Sequence, residues 1–216
     1  MPSKKFSKPT PGTATDVARV RSRRAYFDCR FGQLHVRTAF PTTGGFDEGV
    51  PLLCLHPKKV SSRVFARFLP RMAEDRSVYA PDLPGCGESD PGPQGGAAEA
   101  AVAIVDFAAD LRLRQIDVLG FRFGAEVALQ LAASKPELVR RLVLVAAAAE
   151  NAVPELPHES LVMRLEAGAQ HEGHATPNQR GRTRVVQLVD YTEDLFDAAP
   201  KTLSVQIGEF LRATAR

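Results

Sequence analysis

The chain of 216 residues is 44% hydrophobic and carries a formal net charge of +3, enough apolar material for one substantial core and short for two. No run reaches the roughly 18 to 20 apolar residues of a membrane span, and no apolar block follows the basic start as a secretory signal requires. Cys29, Cys54 and Cys86 are too few and too scattered for a disulfide framework or a zinc site, so the expectation is a cytoplasmic protein without metal or cofactor.

The charge is unevenly placed. Residues 1–24 hold seven Lys or Arg and one acid, Asp16, whereas the remainder holds 21 basic residues against 24 acidic ones. Rich in Lys, Ser, Thr and Pro, residues 1–23 are expected to form a disordered basic tail ahead of a single domain over 24–216. A transit peptide would share the basic character, but this segment lacks an amphipathic stripe. A basic tail alone offers only nonspecific attraction for phosphates, so neither a specific nucleic-acid partner nor a membrane is expected.

In chain order, "AYFDCRFGQLHVRTAF" (25–40) alternates around Gly32 as two paired strands would. "PLLCLH" (51–56) is a short unbroken apolar run, the pattern of a strand covered on both faces. "SSRVFARFLPRMAED" (61–75) spaces Val64, Phe65, Phe68, Leu69 and Met72 as a helix behind a serine cap, bent at Pro70. "SVYAPDLPGCGESDPGPQGG" (77–96) is a strand leading into a Pro- and Gly-rich loop, and "AAEAAVAIVDFAADL" (97–111) returns to helical spacing. Then come strand "IDVLG", helix "FGAEVALQLAASKP" and strand "RRLVLVAAA", in which Arg140 and Arg141 read as an exposed corner. Residues 150–183 read as a remnant lid or loop, with an amphipathic helix at His158–Leu165. A strand, "RVVQLVD" (184–190), and a helix with Leu203, Ile207, Phe210 and Leu211 on one face complete the chain. Strands alternating with helices predict a parallel sheet clothed on both faces.

Four segments, "LLCLHP", "APDLPGCGESDPGP", "DVLGFRFGAEVALQLAASKPELVRRLVLVA" and "DLFDAAPKTLSVQIGEFL", resemble in order and spacing the α/β-hydrolase fold, from about Ala25 to Leu211 with a weak stretch at 150–183. The resemblance implies an α/β fold: a mostly parallel twisted sheet, an N-terminal antiparallel hairpin and helices on both faces, shortened between the turn at Arg122 and the C-terminal helix. It does not fix the chemistry, because the fold hosts many.

In hydrolases of this family the strand-to-helix turn reads G-x-S-x-G, with an acid and then a histidine following in chain order. Here it reads Gly120, Phe121, Arg122, Phe123, Gly124. A guanidinium is always protonated and has no acceptor, so Arg122 at the nucleophile position cannot attack a carbonyl. By resemblance the histidine position falls on Glu193, with Thr192 and Asp194 as one-residue alternatives, and the acid position on Glu150. No acid-bearing strand is recognisable between Ala149 and Arg184, so either a lid or a sheet strand is expected to be missing. By the same resemblance the oxyanion-hole position falls on the backbone of Lys58 and Phe123.

Three functions are open at this level. Arg122 and Glu193 form an ion pair that plugs an abandoned pocket, leaving a pseudoenzyme scaffold with a degenerate catalytic triad. Alternatively Arg122, Lys58 and Lys59 bind a small anionic or carboxylate ligand, for binding alone or for a cofactor-free lyase or cyclase reaction. Lastly, a divergent, esterase-like hydrolase works by another route. Cys86 is the reactive-looking side chain near the pocket mouth, but no histidine is close to it in sequence. "HEGH", His171 to His174, sits among Gly and Pro and reads as a solvated loop rather than a metal site. With a strand missing, "RVVQLVD" becomes the sheet edge and a homodimer through it is expected.

Overall fold

A computed structural model of the chain describes residues 20–42, 48–92, 96–147, 157–166, 178–180, 182–189 and 194–213. The expected hairpin forms from β1 (Arg23–Cys29) and β2 (Gly32–Ala39), antiparallel with Cys29 opposite Gly32. Gly32 has φ 114°, which only glycine adopts freely, and a Cβ there would run into the Asp90 side chain.

Beyond the hairpin, the remaining strands are β3 (Gly49–Leu55), β4 (Arg76–Pro81), β5 (Ile116–Phe121), β6 (Val139–Val145), β7 (Glu159–Glu166), β8 (Asn178–Arg180) and β9 (Thr183–Val189). They form one sheet in the order β1-β2-β4-β3-β5-β6-β7-β9-β8. From β4 to β9 the neighbours are parallel; the hairpin is antiparallel at one edge and β8 at the other.

The unbroken apolar run at 51–56 is explained by this placement. Leu52 and Cys54 face one core and Leu53 and Leu55 the other, so both faces of β3 are dry. One core gathers α1 (Leu69–Met72), α4 (Leu195–Ala198) and α5 (Pro200–Arg212), the other α2 (Ala97–Asp110) and α3 (Phe123–Ser134). The α5 stripe of Leu203, Ile207, Phe210 and Leu211 is buried as its spacing predicts. The helical pattern at 61–75 splits as Pro70 demands: a 3-10 turn at Ser62–Phe65, capped by the Ser61 side chain, then α1 with Pro70 in its first turn.

Three expectations are corrected. Residues His158–Leu165 do not make a helix: Glu159–Glu166 is β7, a full parallel strand between β6 and β9, so of the two alternatives for 150–183, a missing lid or a missing sheet strand, the strand is present. Its three-residue apolar centre, Leu161 to Met163, fits a helix turn or a buried strand equally well, and pairing on both sides decides the matter. Consequently β9 is not the outermost strand, since β8 covers it over Thr183–Val185. Nor is "RR" an exposed corner. Asp117, wholly buried in β5, accepts from Arg76 Nη1 at 3.1 Å and Arg140 Nε at 2.8 Å. Arg141, 3% exposed, pairs with Glu159 of β7, and its Nη1 donates to the carbonyls of Phe210 and Leu211 at 2.9 and 3.0 Å. These arginines satisfy carbonyls that the end of α5 leaves without helical partners. Burial pushes the Asp117 carboxyl above its ordinary value, and Arg140, Arg76 and Arg141 pull against it.

Candidate functional site

The turn between β5 and α3 is built by close approach of backbones. A Cβ on Gly120 would land on the Gly124 carbonyl and the Ala125 Cα, and one on Gly124 would land on the Leu55 carbonyl oxygen of β3. Both glycines are therefore demanded by packing, whatever stands between them. Arg122 takes φ 51° and ψ −114°, a strained conformation for a residue with a side chain, of the order of 1–3 kcal/mol. Its N–H donates to the Val145 carbonyl at 2.8 Å, and its carbonyl accepts from Ala125 N–H at 2.8 Å. Phe121 beneath it joins Phe65, Phe68 and Phe196 in an edge-on aromatic cluster, with centroids of Phe121 and Phe196 5.3 Å apart. The half-buried Arg122 guanidinium carbon lies 5.6 Å from the Phe121 ring centre.

Facing the turn is the loop after β3. His56 is wholly buried: its Nδ1–H donates to the Pro57 carbonyl at 2.7 Å and its Nε2 accepts from Leu83 N–H at 2.9 Å. Those partners fix one neutral tautomer, and burial holds the imidazole below its ordinary pKa. Asp82 knits the same region: Oδ1 accepts from Ser62 N–H at 2.6 Å, and Oδ2 from Glu88 N–H and His35 Nδ1 at 2.9 Å each. Burial pushes its carboxyl up, but the hydrogen bonds from Ser62, Glu88 and His35 together hold it below the usual range. Both groups are structural: they hold the loops at the carboxyl ends of β3 and β4 where parallel-sheet proteins place their ligands.

Of the residues singled out in the sequence, Lys58 and Phe123 meet, the Lys58 Nζ standing 4.3 Å over the Phe123 ring centre. Lys59 has φ 63° and lines an open cleft of about 750 Å³, together with Arg63, Arg67, Cys86, Asp194 and Asp197; neither Lys58 nor Arg122 is among its described lining residues. Asp194, one of the register alternatives for the histidine position, is thus placed on the wall of this cleft. Glu150, Thr192, Glu193, His171, His174 and residues 1–19 lie outside the described residues. The sequence reading passed over Arg63 and Arg67. Their signal was the spacing of Lys59, Arg63 and Arg67, each four residues from the next across the capped turn. Among the described residues no cluster of three or more His, Cys, Asp or Glu is placed to hold a metal ion, and no helix is long and apolar enough to cross a membrane.

A family model described as the alpha/beta hydrolase fold matches residues 50–212, which takes in every strand from β3 to β9 and the glycine turn. The chain belongs to the α/β-hydrolase fold family. It is 33% identical over 121 residues to 2-hydroxymuconate semialdehyde hydrolase of Pseudomonas sp. strain CF600, covering 52% of this chain and 41% of that one. It is also 37% identical over 84 residues to pyrrolizixenacetamide deacetylase of Xenorhabdus hominickii, covering 38% and 32%. The chain thus matches less than half the length of these curated relatives. Among solved structures, a predicted hydrolase from Thermoplasma acidophilum superposes with a TM-score of 0.73 at 16% identity, covering 89% of this chain and 99% of that one. A carboxylesterase from Bacillus subtilis does so with 0.70 at 14%, covering 90% and 93%. At these identities the superpositions speak for the α/β-hydrolase fold alone.

Proposed function

We propose that this α/β-hydrolase-fold protein has exchanged serine-hydrolase chemistry for charge pairing at its elbow: Arg122 faces an anion, and that anion is the carboxylate of Glu193 in its own chain. The observation that carries the reading is the strained elbow at Arg122, whose glycine packing is kept while its central side chain can only donate. Lys58 favours the same reading, because its ammonium lies against the Phe123 ring and Lys59 lines another cleft. The pair is tested by unfolding Arg122→Met, Glu193→Leu and the double variant in urea. Each single change should cost about 1–3 kcal/mol, less than for a fully buried pair because Arg122 is half-buried, and the double should recover most of it. Singles that leave stability unchanged, or costs that simply add, contradict the pair.

A second reading, a divergent hydrolase, draws support from the relatives, whose names are those of a hydrolase and a deacetylase. In that reading Glu150 keeps the acid position, the backbone of Lys58 and Phe123 keeps the oxyanion hole, and the nucleophile comes from elsewhere. A ligand carboxylate at Arg122, for binding or for a cofactor-free lyase or cyclase step, is the remaining form of the charge-pairing proposal. We further propose that two copies associate along Val186–Val189, the part of β9 that β8 leaves uncovered among the described residues. Light scattering should then give twice the chain mass, and a monomer at high concentration contradicts this.

A further inference from the structure

The cleft beside the elbow loop has a composition that the elbow does not explain. Its lining includes three exposed cations, Lys59 from the loop after β3, Arg63 from the 3-10 turn and Arg67 just beyond that turn. Asp194 and Asp197, at the start of α4, line it as well. Arg67 Nε is already paired with Asp197 at 3.0 Å. Lys59 and Arg63 have no ion-pair partner among the described residues, which leaves two uncommitted cations against the one carboxylate of Asp194. Lys59 is held there by a left-handed backbone, φ 63°, a conformation that costs free energy in a lysine and recurs where a side chain is being aimed. The volume of about 750 Å³ lies within the roughly 300–1,000 Å³ of small-molecule sites. Cys86, half-buried, is also among the lining residues.

We propose that this cleft is a binding site, separate from Arg122, for a small molecule bearing a carboxylate or a phosphate, held by Lys59 and Arg63 beside the Cys86 thiol. The shared chemistry is a compact oxyanion; Asp194 disfavours a large polyanion. The site does not depend on the reading of Arg122 and Glu193.

Cys86 is a built-in reporter. Alkylation of the full chain by iodoacetate, which carries a carboxylate, and by neutral iodoacetamide is followed at Cys86 and Cys29 by peptide mass spectrometry. The ratio of the iodoacetate to the iodoacetamide rate at Cys86 should fall at least about threefold in Lys59→Ala/Arg63→Ala and at high salt, as expected when fixed charges concentrate an anion. The ratio at Cys29 should stay the same in the double variant. Inorganic phosphate and malonate, as separate arms, should slow iodoacetamide at Cys86 in the wild type and not in the double variant. Protection by one alone identifies that group, and protection by both supports the shared chemistry. A ratio at Cys86 indifferent to the double variant, or protection by neither anion, overturns the proposal; both changes are at exposed positions, and unaltered Cys29 kinetics verify the fold.

Discussion

At the scale of single residues, two side chains define what the elbow region does. Arg122 holds a strained conformation in the turn between β5 and α3, at the position the resemblance to G-x-S-x-G implies for a nucleophile. Gly120 and Gly124 were legible in the sequence because their requirement is geometric, and it holds with an arginine between them. A partner for Arg122 was not legible: the resemblance leaves Thr192, Glu193 and Asp194 one residue of register apart, and nothing local in the sequence chooses among them. His56 is the other such residue, and its role shows in acid. Burial lowers its pKa in the folded chain, so as the pH falls through about 6.5 the unfolded chain takes up a proton that the native chain refuses. Its contribution is therefore complete above that pH and is lost below it, at up to about 1.4 kcal/mol per pH unit until the folded value is reached. Melting temperature measured from pH 7.5 to 5.5 should drop in the wild type and drop less in His56→Asn. An equal drop in both would show that the imidazole does not titrate this way.

At the scale of elements, the hairpin, β3 through β6, α2, α3 and α5 follow from alternation, short apolar runs and amphipathic spacing, each of which is local. The strand β7 escaped because "SLVMRL" carries no local preference strong enough to choose. Its state comes from partners distant in sequence, Arg141–Val145 on one side and Thr183–Val189 on the other. The same holds for the arginines of β6. Nothing near them in sequence announces Asp117, Glu159 or the end of α5, yet those groups are what make one buried and one half-buried guanidinium tolerable. Asp117 is the hinge of that network, joining β4, β5 and β6. Asp117→Asn should cost about 3–5 kcal/mol, because it takes the carboxylate from Arg140 and leaves Arg76 with Asp75 alone, and urea unfolding should show a lower midpoint with unchanged slope. Stability within about 0.5 kcal/mol of the wild type would mean that solvent already screens these charges.

At the scale of the whole molecule, membership of the α/β-hydrolase family accounts for the sheet, the turn and the placement of loops at one end, and leaves the reaction open. The central proposal is that the scaffold has been kept while its nucleophile has become a pairing cation. The most direct measurement is incubation of the full chain with a fluorophosphonate probe, with the adduct read by intact-mass spectrometry. The proposal predicts no stoichiometric adduct, since no side chain at the elbow can attack phosphorus. One probe per chain, mapped to any residue of the site, would contradict it.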